Sequence, residues 1–119
     1  MVTRSLIKSA PLLPLLLFLN FPTQVFAQKV FSVKYQSQAD VKVFVVDYLS
    51  QADLAVFKVP YQSQAGKNDG NWFFVEYVSQ ADKKIFFVEY ASQADLKIFF
   101  VKYASQAGWK NKEKIALMY

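Results

Sequence analysis

From residue 31 onward the chain alternates apolar and other side chains with a period of two, in short bursts that repeat. Each burst reads Phe-x-Val-x-Tyr, then one further residue, then Ser-Gln-Ala closed by Asp or Gly. Six copies run Phe31 to Asp40, Phe44 to Asp53, Phe57 to Gly66, Phe73 to Asp82, Phe86 to Asp95 and Phe99 to Gly108. Two-residue alternation in residues of high β-propensity predicts a strand in each copy. Phe44, Val46 and Tyr48 then point one way, and Val43, Val45 and Asp47 the other. The Phe-Val-Tyr face carries no charge in any copy and is the expected buried face. The opposite face begins apolar (Ile85 and Phe87, Ile98 and Phe100) and carries Lys34, Asp47, Glu76, Glu89 or Lys102 before the tyrosine, so it reads as half-buried. Pro60 stands there in the third copy. It cannot donate a ladder hydrogen bond, which marks an edge or a broken strand end.

The repeat tyrosines Tyr35, Tyr48, Tyr61, Tyr77, Tyr90 and Tyr103 are spaced 13, 13, 16, 13 and 13 residues apart. Copies three and six end in glycine, the others in aspartate. The pattern is therefore a triplet used twice with a period of 42, and Tyr119 falls 42 residues after Tyr77. Ile115, Leu117 and Tyr119 alternate as Phe, Val and Tyr do. They predict a seventh strand over residues 114–119 that buries Leu117 and Tyr119. The fold class that follows is all-β: a compact domain of about seven short strands from six tandem 13-residue units in two triplets.

Ahead of the repeats, residues 1–27 read as a cleaved N-terminal signal helix. Arg4 and Lys8 form a basic start, Leu12 to Phe21 an apolar run broken by Pro14 and Asn20, and Val25-Phe26-Ala27 a cleavage site. That order is the pattern of a secretory signal peptide. The alternative is a retained membrane anchor, but the uninterrupted run is shorter than the roughly 20 residues that span a bilayer. The expected domains are a signal peptide at 1–27 and a repeat domain at 28–119, exported to the periplasm or the extracellular space.

Composition narrows the chemistry. The chain has no Cys and no His, so disulfides, the common nucleophile-base pairs and the usual zinc and haem sites are excluded. A small exported domain without disulfides needs a dense apolar core. The net charge is +5 and falls to +3 when Arg4 and Lys8 are removed. The remaining lysines are interleaved with acids, which describes a mixed solvated surface rather than a nucleic-acid footprint. Lys110, Lys112 and Lys114 form the one local excess, a weak candidate for an anionic surface.

In the turns, Ser and Asp bond nearby backbone groups, and Gln reaches further. Gln38, Gln51, Gln80 and Gln93, with their aspartates, are candidate ligand contacts. Satisfying backbone at crowded crossings is the more ordinary role. Gly66 and Gly108 replace Asp where the backbone is expected to take positive φ. Asn68-Asp69-Gly70 looks like a fragment of a calcium loop, but it lacks the ligand run and the bidentate Glu, and a plain turn fits it better. Trp72 and Trp109, each beside a glycine handover, are the remaining ligand candidates; burial decides between that role and core packing. No glycine-rich phosphate loop is present. The repeated carboxylates occupy equivalent slots, whereas an acid-base pair needs two different environments.

The units Val43-Phe44-Val45-Val46-Asp47-Tyr48-x-Ser-Gln-Ala-Asp and Ile98-Phe99-Phe100-Val101-Lys102-Tyr103-x-Ser-Gln-Ala-Gly, with Trp109 and Leu117-Met118-Tyr119, resemble the 7(1) septoil knot family. The resemblance covers residues 30–119. It implies an all-β domain with a seven-crossing knotted backbone and implies no activity. Threading offers a reason that near-identical strands, prone to register slips and swapping, hold one arrangement.

The functional expectation is an exported, non-enzymatic structural or interaction module. It needs no cofactor or metal, acts as a monomer, has no nucleic-acid partner and touches membrane only through the signal segment. The alternative is a ligand-binding module, for glycans for example, that uses the repeat turns with Trp72 and Trp109. A third class, an assembly pairing units between chains, is disfavoured by strands this aromatic and turns this poor in Gly and Asn.

Overall fold

The computed structural model describes residues 28–119; the signal segment read at 1–27 lies outside them. Seven strands form: β1 (Lys29–Ser32), β2 (Val41–Val45), β3 (Leu54–Lys58), β4 (Asn71–Phe74), β5 (Lys83–Phe87), β6 (Leu96–Phe100) and β7 (Gly108–Trp109). Each of β1 to β6 stops three residues before its tyrosine. A three-residue 3-10 turn follows every tyrosine, closed by the turn Gln N–H donating to the tyrosine carbonyl, as from Gln51 to Tyr48 at 3.0 Å. Pro60 therefore lies past the end of β3, where no ladder bond is required of it.

The six long strands are parallel, in the order β4-β1-β5-β2-β6-β3, and β3 pairs back onto β4. The sheet closes into a six-stranded barrel. No two strands of one triplet are neighbours. Each 13-residue step carries the chain two places round the barrel, over one strand of the other triplet. The 16-residue step from Tyr61 to Tyr77 carries it one place, because β3 and β4 are adjacent. From β1 to β6 the chain winds one and a half times round the barrel, as two laps of three strands each, and the longer spacer sets the half-step that drops the second lap between the strands of the first.

Register is uniform. At every interface a residue pairs with one two places earlier in the neighbouring unit: Val30 with Lys83, Val43 with Leu96, Lys58 with Trp72. Two residues at each of six interfaces give a shear of twelve. That is twice the stagger per strand of an eight-stranded barrel with shear eight, so the strands tilt steeply. An even stagger keeps every side chain on its own face. It also places residues with the same offset from the tyrosine at one level around the barrel.

The interior follows from those levels. Val30, Val43, Val56, Trp72, Ile85 and Ile98, each five residues before its tyrosine, form one sealed ring. Val41, Leu54 and Leu96 lie buried one level below. One level above, Phe74, Phe87 and Phe100 pack on the core, and Lys58 places its Nζ over the Phe74 and Phe100 rings at 5.0 and 4.9 Å, as its place between β6 and β4 dictates.

This inverts the expected faces. The Phe-Val-Tyr set is not the core: its phenylalanines point outward and are half-covered, and its tyrosines are 63–68% exposed. The valines of the first triplet, Val33, Val46 and Val59, are buried in the crossovers. The physical reason is that parallel sheets are covered on both faces, so both faces read as apolar. The charges just before each tyrosine lie beyond the strand, in the crossover, and say nothing about its faces. The outward lysines do: Lys42, Lys84 and Lys97 share the parity of the phenylalanines, opposite Val43, Ile85 and Ile98.

Residues 114–119 do not form the expected strand. They belong to a 3-10 helix, Lys112–Met118. Met118 is buried, Leu117 packs on the core and Tyr119 is 74% exposed. The seventh strand is β7, antiparallel on β3 through Leu54–Trp109 and Ala55–Gly108. With β3 and β4 paired, no seventh parallel slot remains. β4 meets β3 only at Phe57 and Lys58, and two residues of β7 fill the gap beside Leu54 and Ala55. The chain then turns at Asn111, whose side chain accepts from the Glu113 N–H, into a segment rich in good helix formers.

Candidate functional site

All six turns dock in the same way. The last residue of each turn meets the strand residue six places before a tyrosine in the other lap. Asp40 N–H donates to the Lys84 carbonyl, Asp53 to Lys97, Asp82 to Lys29, Asp95 to Lys42 and Gly66 to Asn71, at 2.7–2.9 Å; Gly108 pairs with Ala55. The four aspartates also accept. Their Oδ2 atoms take the N–H of Lys84, Lys97, Lys29 and Lys42 at 2.8–3.1 Å. Each carboxylate thus closes a two-bond clamp on the neighbouring strand's backbone. The crossover valines add a second fixed contact, as Val46 N–H to the Ile98 carbonyl at 2.8 Å.

Asp53 carries the most. It is buried, accepts from Asn111 Nδ2 at 3.2 Å and faces Lys114 Nζ at 3.5 Å. Lys114 Nζ also donates to the Asp95 carbonyl at 2.9 Å, so this member of the C-terminal lysine group is engaged locally. Among the described residues no three acidic side chains stand together as a metal would need.

The glycine expectation holds at one handover. Gly108 has φ +152°, but positive φ at the first lies on Asn68 (+56°) and Gly70 (+92°), not on Gly66. At Gly66 a Cβ would meet the Asp69 carboxylate, which would have to turn aside to admit it. Asp69 Oδ1 accepts the Asn71 N–H at 3.1 Å, which makes 66–71 a self-bonded turn.

The sequence-predicted contacts separate. Trp72 is sealed in the barrel at 0% exposure, 6.1 Å from the Phe74 ring, where no ligand reaches it. Trp109 is half-buried, and its Nε1 donates to the Asn68 carbonyl at 2.9 Å. Gln38, Gln51, Gln80 and Gln93 are all exposed on the turns. In the glycine-ended turns the equivalent Gln64 and Gln106 instead accept from Tyr61 and Tyr103 N–H groups at 3.2 and 3.3 Å. The feature that sequence reading missed is the tyrosines themselves. Uniform register sets all six at one level, beside those glutamines, as an exposed girdle. The available signal was the short strand: the alternation that would bury a tyrosine ends three residues before it.

A closed parallel barrel lapped twice, with its turns clamped across the laps, defines a small interlaced β domain. The family model of the 7(1) septoil knot domain matches residues 27–110, and the chain belongs to that family. The interleaved laps give the knot its physical form, since each 13-residue crossover passes a strand of the other lap. No curated protein and no solved structure matches the chain.

Proposed function

We propose that this is an exported, non-enzymatic interaction module whose contact surface is the girdle of Tyr35, Tyr48, Tyr61, Tyr77, Tyr90 and Tyr103. The observation that supports this reading is their equal exposure of 63–68% at equivalent positions. Large aromatic rings left in water on a rigid frame are suited to contact with a partner. The turn aspartates are committed to backbone clamps, which speaks against acid-base chemistry in the turns. Export rests on the pattern from Arg4 to Ala27. The glycan reading moves from the tryptophans to the tyrosines with Gln38, Gln51, Gln80 and Gln93.

The test has two arms. In a broad hydrolase panel the protein should turn over nothing; turnover that disappears on replacing one turn aspartate overturns the reading. On a glycan array, Tyr48→Ala/Tyr90→Ala should lose any signal of the parent while keeping its unfolding midpoint. Signal retained by that variant removes the girdle as the contact surface.

A further inference from the structure

The aspartate-ended and glycine-ended units are sorted round the barrel. In the order β4-β1-β5-β2-β6-β3, the first four strands belong to the aspartate-ended units and the last two to the glycine-ended ones. β7 lies on the glycine-ended side, against β3. Tyr77, Tyr35, Tyr90 and Tyr48 therefore follow four consecutive strands, each 63–67% exposed. Three residues after them, Gln80, Gln38, Gln93 and Gln51 are exposed as well. Gln64 and Gln106, in the other two units, fold back to cap a tyrosine N–H. The face over β4, β1, β5 and β2 thus repeats one ring and one uncapped amide, and an amide both donates and accepts.

Three open hollows lie on this face, of about 500, 540 and 440 Å³, in the range of small-molecule sites. Phe31, Gln38, Val78 and Lys84 line the first, and Phe44, Gln51, Ala91 and Lys97 line the last. Each residue of the second set stands 13 places after its counterpart in the first, so the hollow recurs with the repeat. The middle one takes Gln36 and Lys42, which stand to β5 as Val78 and Lys84 stand to β1, and it shares Ser37, Ala39 and Asp40 with the first. The hollows therefore succeed one another on β1, β5 and β2. Together their linings hold three acids, Asp40, Asp47 and Asp95, and three lysines, Lys42, Lys84 and Lys97. The face carries no net charge to select an ion.

We infer that this face is a binding track for a neutral polysaccharide. A pyranose offers C–H faces that stack on aromatic rings and hydroxyls that both donate and accept. The tyrosines meet the first and the glutamine amides the second. A polymer engages several equivalent positions at once, and linked weak contacts then reinforce one another. The inference rests on the girdle reading and narrows it to four of the six units and to one class of partner.

The test titrates cellohexaose, mannohexaose and maltohexaose, and their disaccharides, into the isotopically labelled full chain, followed by NMR, with polygalacturonate as the anionic control. At least one hexaose should shift the side-chain amides of Gln38, Gln51, Gln80 and Gln93 saturably and leave those of Gln64 and Gln106 unmoved. Its disaccharide should bind at least about tenfold more weakly, because it engages fewer positions. Tyr35→Ala/Tyr90→Ala should weaken the hexaose about tenfold, as loss of two aromatic contacts does, and keep the parent's unfolding midpoint. Tyr61→Ala/Tyr103→Ala should bind as the parent does. Equal loss in the two variants overturns the one-sided track and leaves the girdle as the contact surface. No saturable shift with any hexaose, disaccharides that bind as tightly, or tighter binding of polygalacturonate overturns the neutral polysaccharide; the girdle is then judged by Tyr48→Ala/Tyr90→Ala on the array.

Discussion

Asp53 and Lys97 hold each other by backbone and side chain together: Asp53 N–H donates to the Lys97 carbonyl at 2.7 Å, and Asp53 Oδ2 accepts the Lys97 N–H at 2.8 Å. They belong to different laps, so the pair ties the first lap to the second. Asp40 makes the same pair with Lys84 from an exposed position. Replacing Asp53 with Ala should cost about 2–3 kcal/mol, because the Lys97 N–H and Asn111 each lose a part-buried acceptor and Lys114 loses its ion pair. Asp40→Ala should cost about 1 kcal/mol, since water replaces its carboxylate. Urea unfolding of the two variants checks the order.

The orientation of the strands gives a second test. Ile98 is sealed in the barrel, and Tyr90 is exposed. Ile98→Ala should destabilise by about 2–5 kcal/mol, and Tyr90→Ala by less than about 0.5 kcal/mol, as surface changes usually do. The reverse order in denaturant titrations would restore the Phe-Val-Tyr face as the core.

Gly70 holds φ +92°, and a Cβ there would run into the Ala55 carbonyl. Gly70→Ala should therefore cost more than about 1 kcal/mol, through strain and overlap together. Gly108→Ala meets open space and carries the strain of φ alone. A larger drop in midpoint for Gly70→Ala is the expected result by thermal unfolding.

The handover length is a third determinant. Removing Lys67, Asn68 and Asp69 would reduce the 16-residue spacing to that of the other steps. The second lap would then aim at slots already filled by the first. Such a chain should show no cooperative unfolding and should expose apolar strand edges to aggregation. A native-like circular dichroism spectrum with a sharp transition would show that spacer length does not set the half-step.

At the C-terminus, Met118→Ala should cost about 2–4 kcal/mol by emptying a buried site, while Tyr119→Ala should change little. Hydrogen exchange should find Tyr119 N–H, which donates to the Ala116 carbonyl at 3.3 Å, less protected than Val43 in β2. Equal protection would argue for a paired strand after all.

The sequence by itself determined the local structure. The six units, their division into triplets, one strand per unit and a turn after each repeat tyrosine follow from β-propensity and a two-residue period, which act over a few neighbours, although each strand ends one residue past the Phe of its unit rather than at the tyrosine. The broken regularity at Gly66 and Gly108 was also legible, because a missing Asp and an added spacer are visible without coordinates. What the tertiary structure alone decided is which strands meet. β1 pairs with β4 and β5 rather than β2 because a 13-residue step reaches two places round a closed barrel. Nothing in near-identical strands records that choice. The buried face depended on it as well: a barrel wrapped by its own crossovers is apolar outside and in, so Phe44 and Val43 look alike until closure sets one inward. The same closure left no slot for residues 114–119, sending Met118 inward as part of a helix, and it sealed Trp72 while leaving six tyrosines in water. Turn chemistry is local and could be read; the partner of each clamp lies 44 or 53 residues away and was decided only when the second lap passed between the strands of the first.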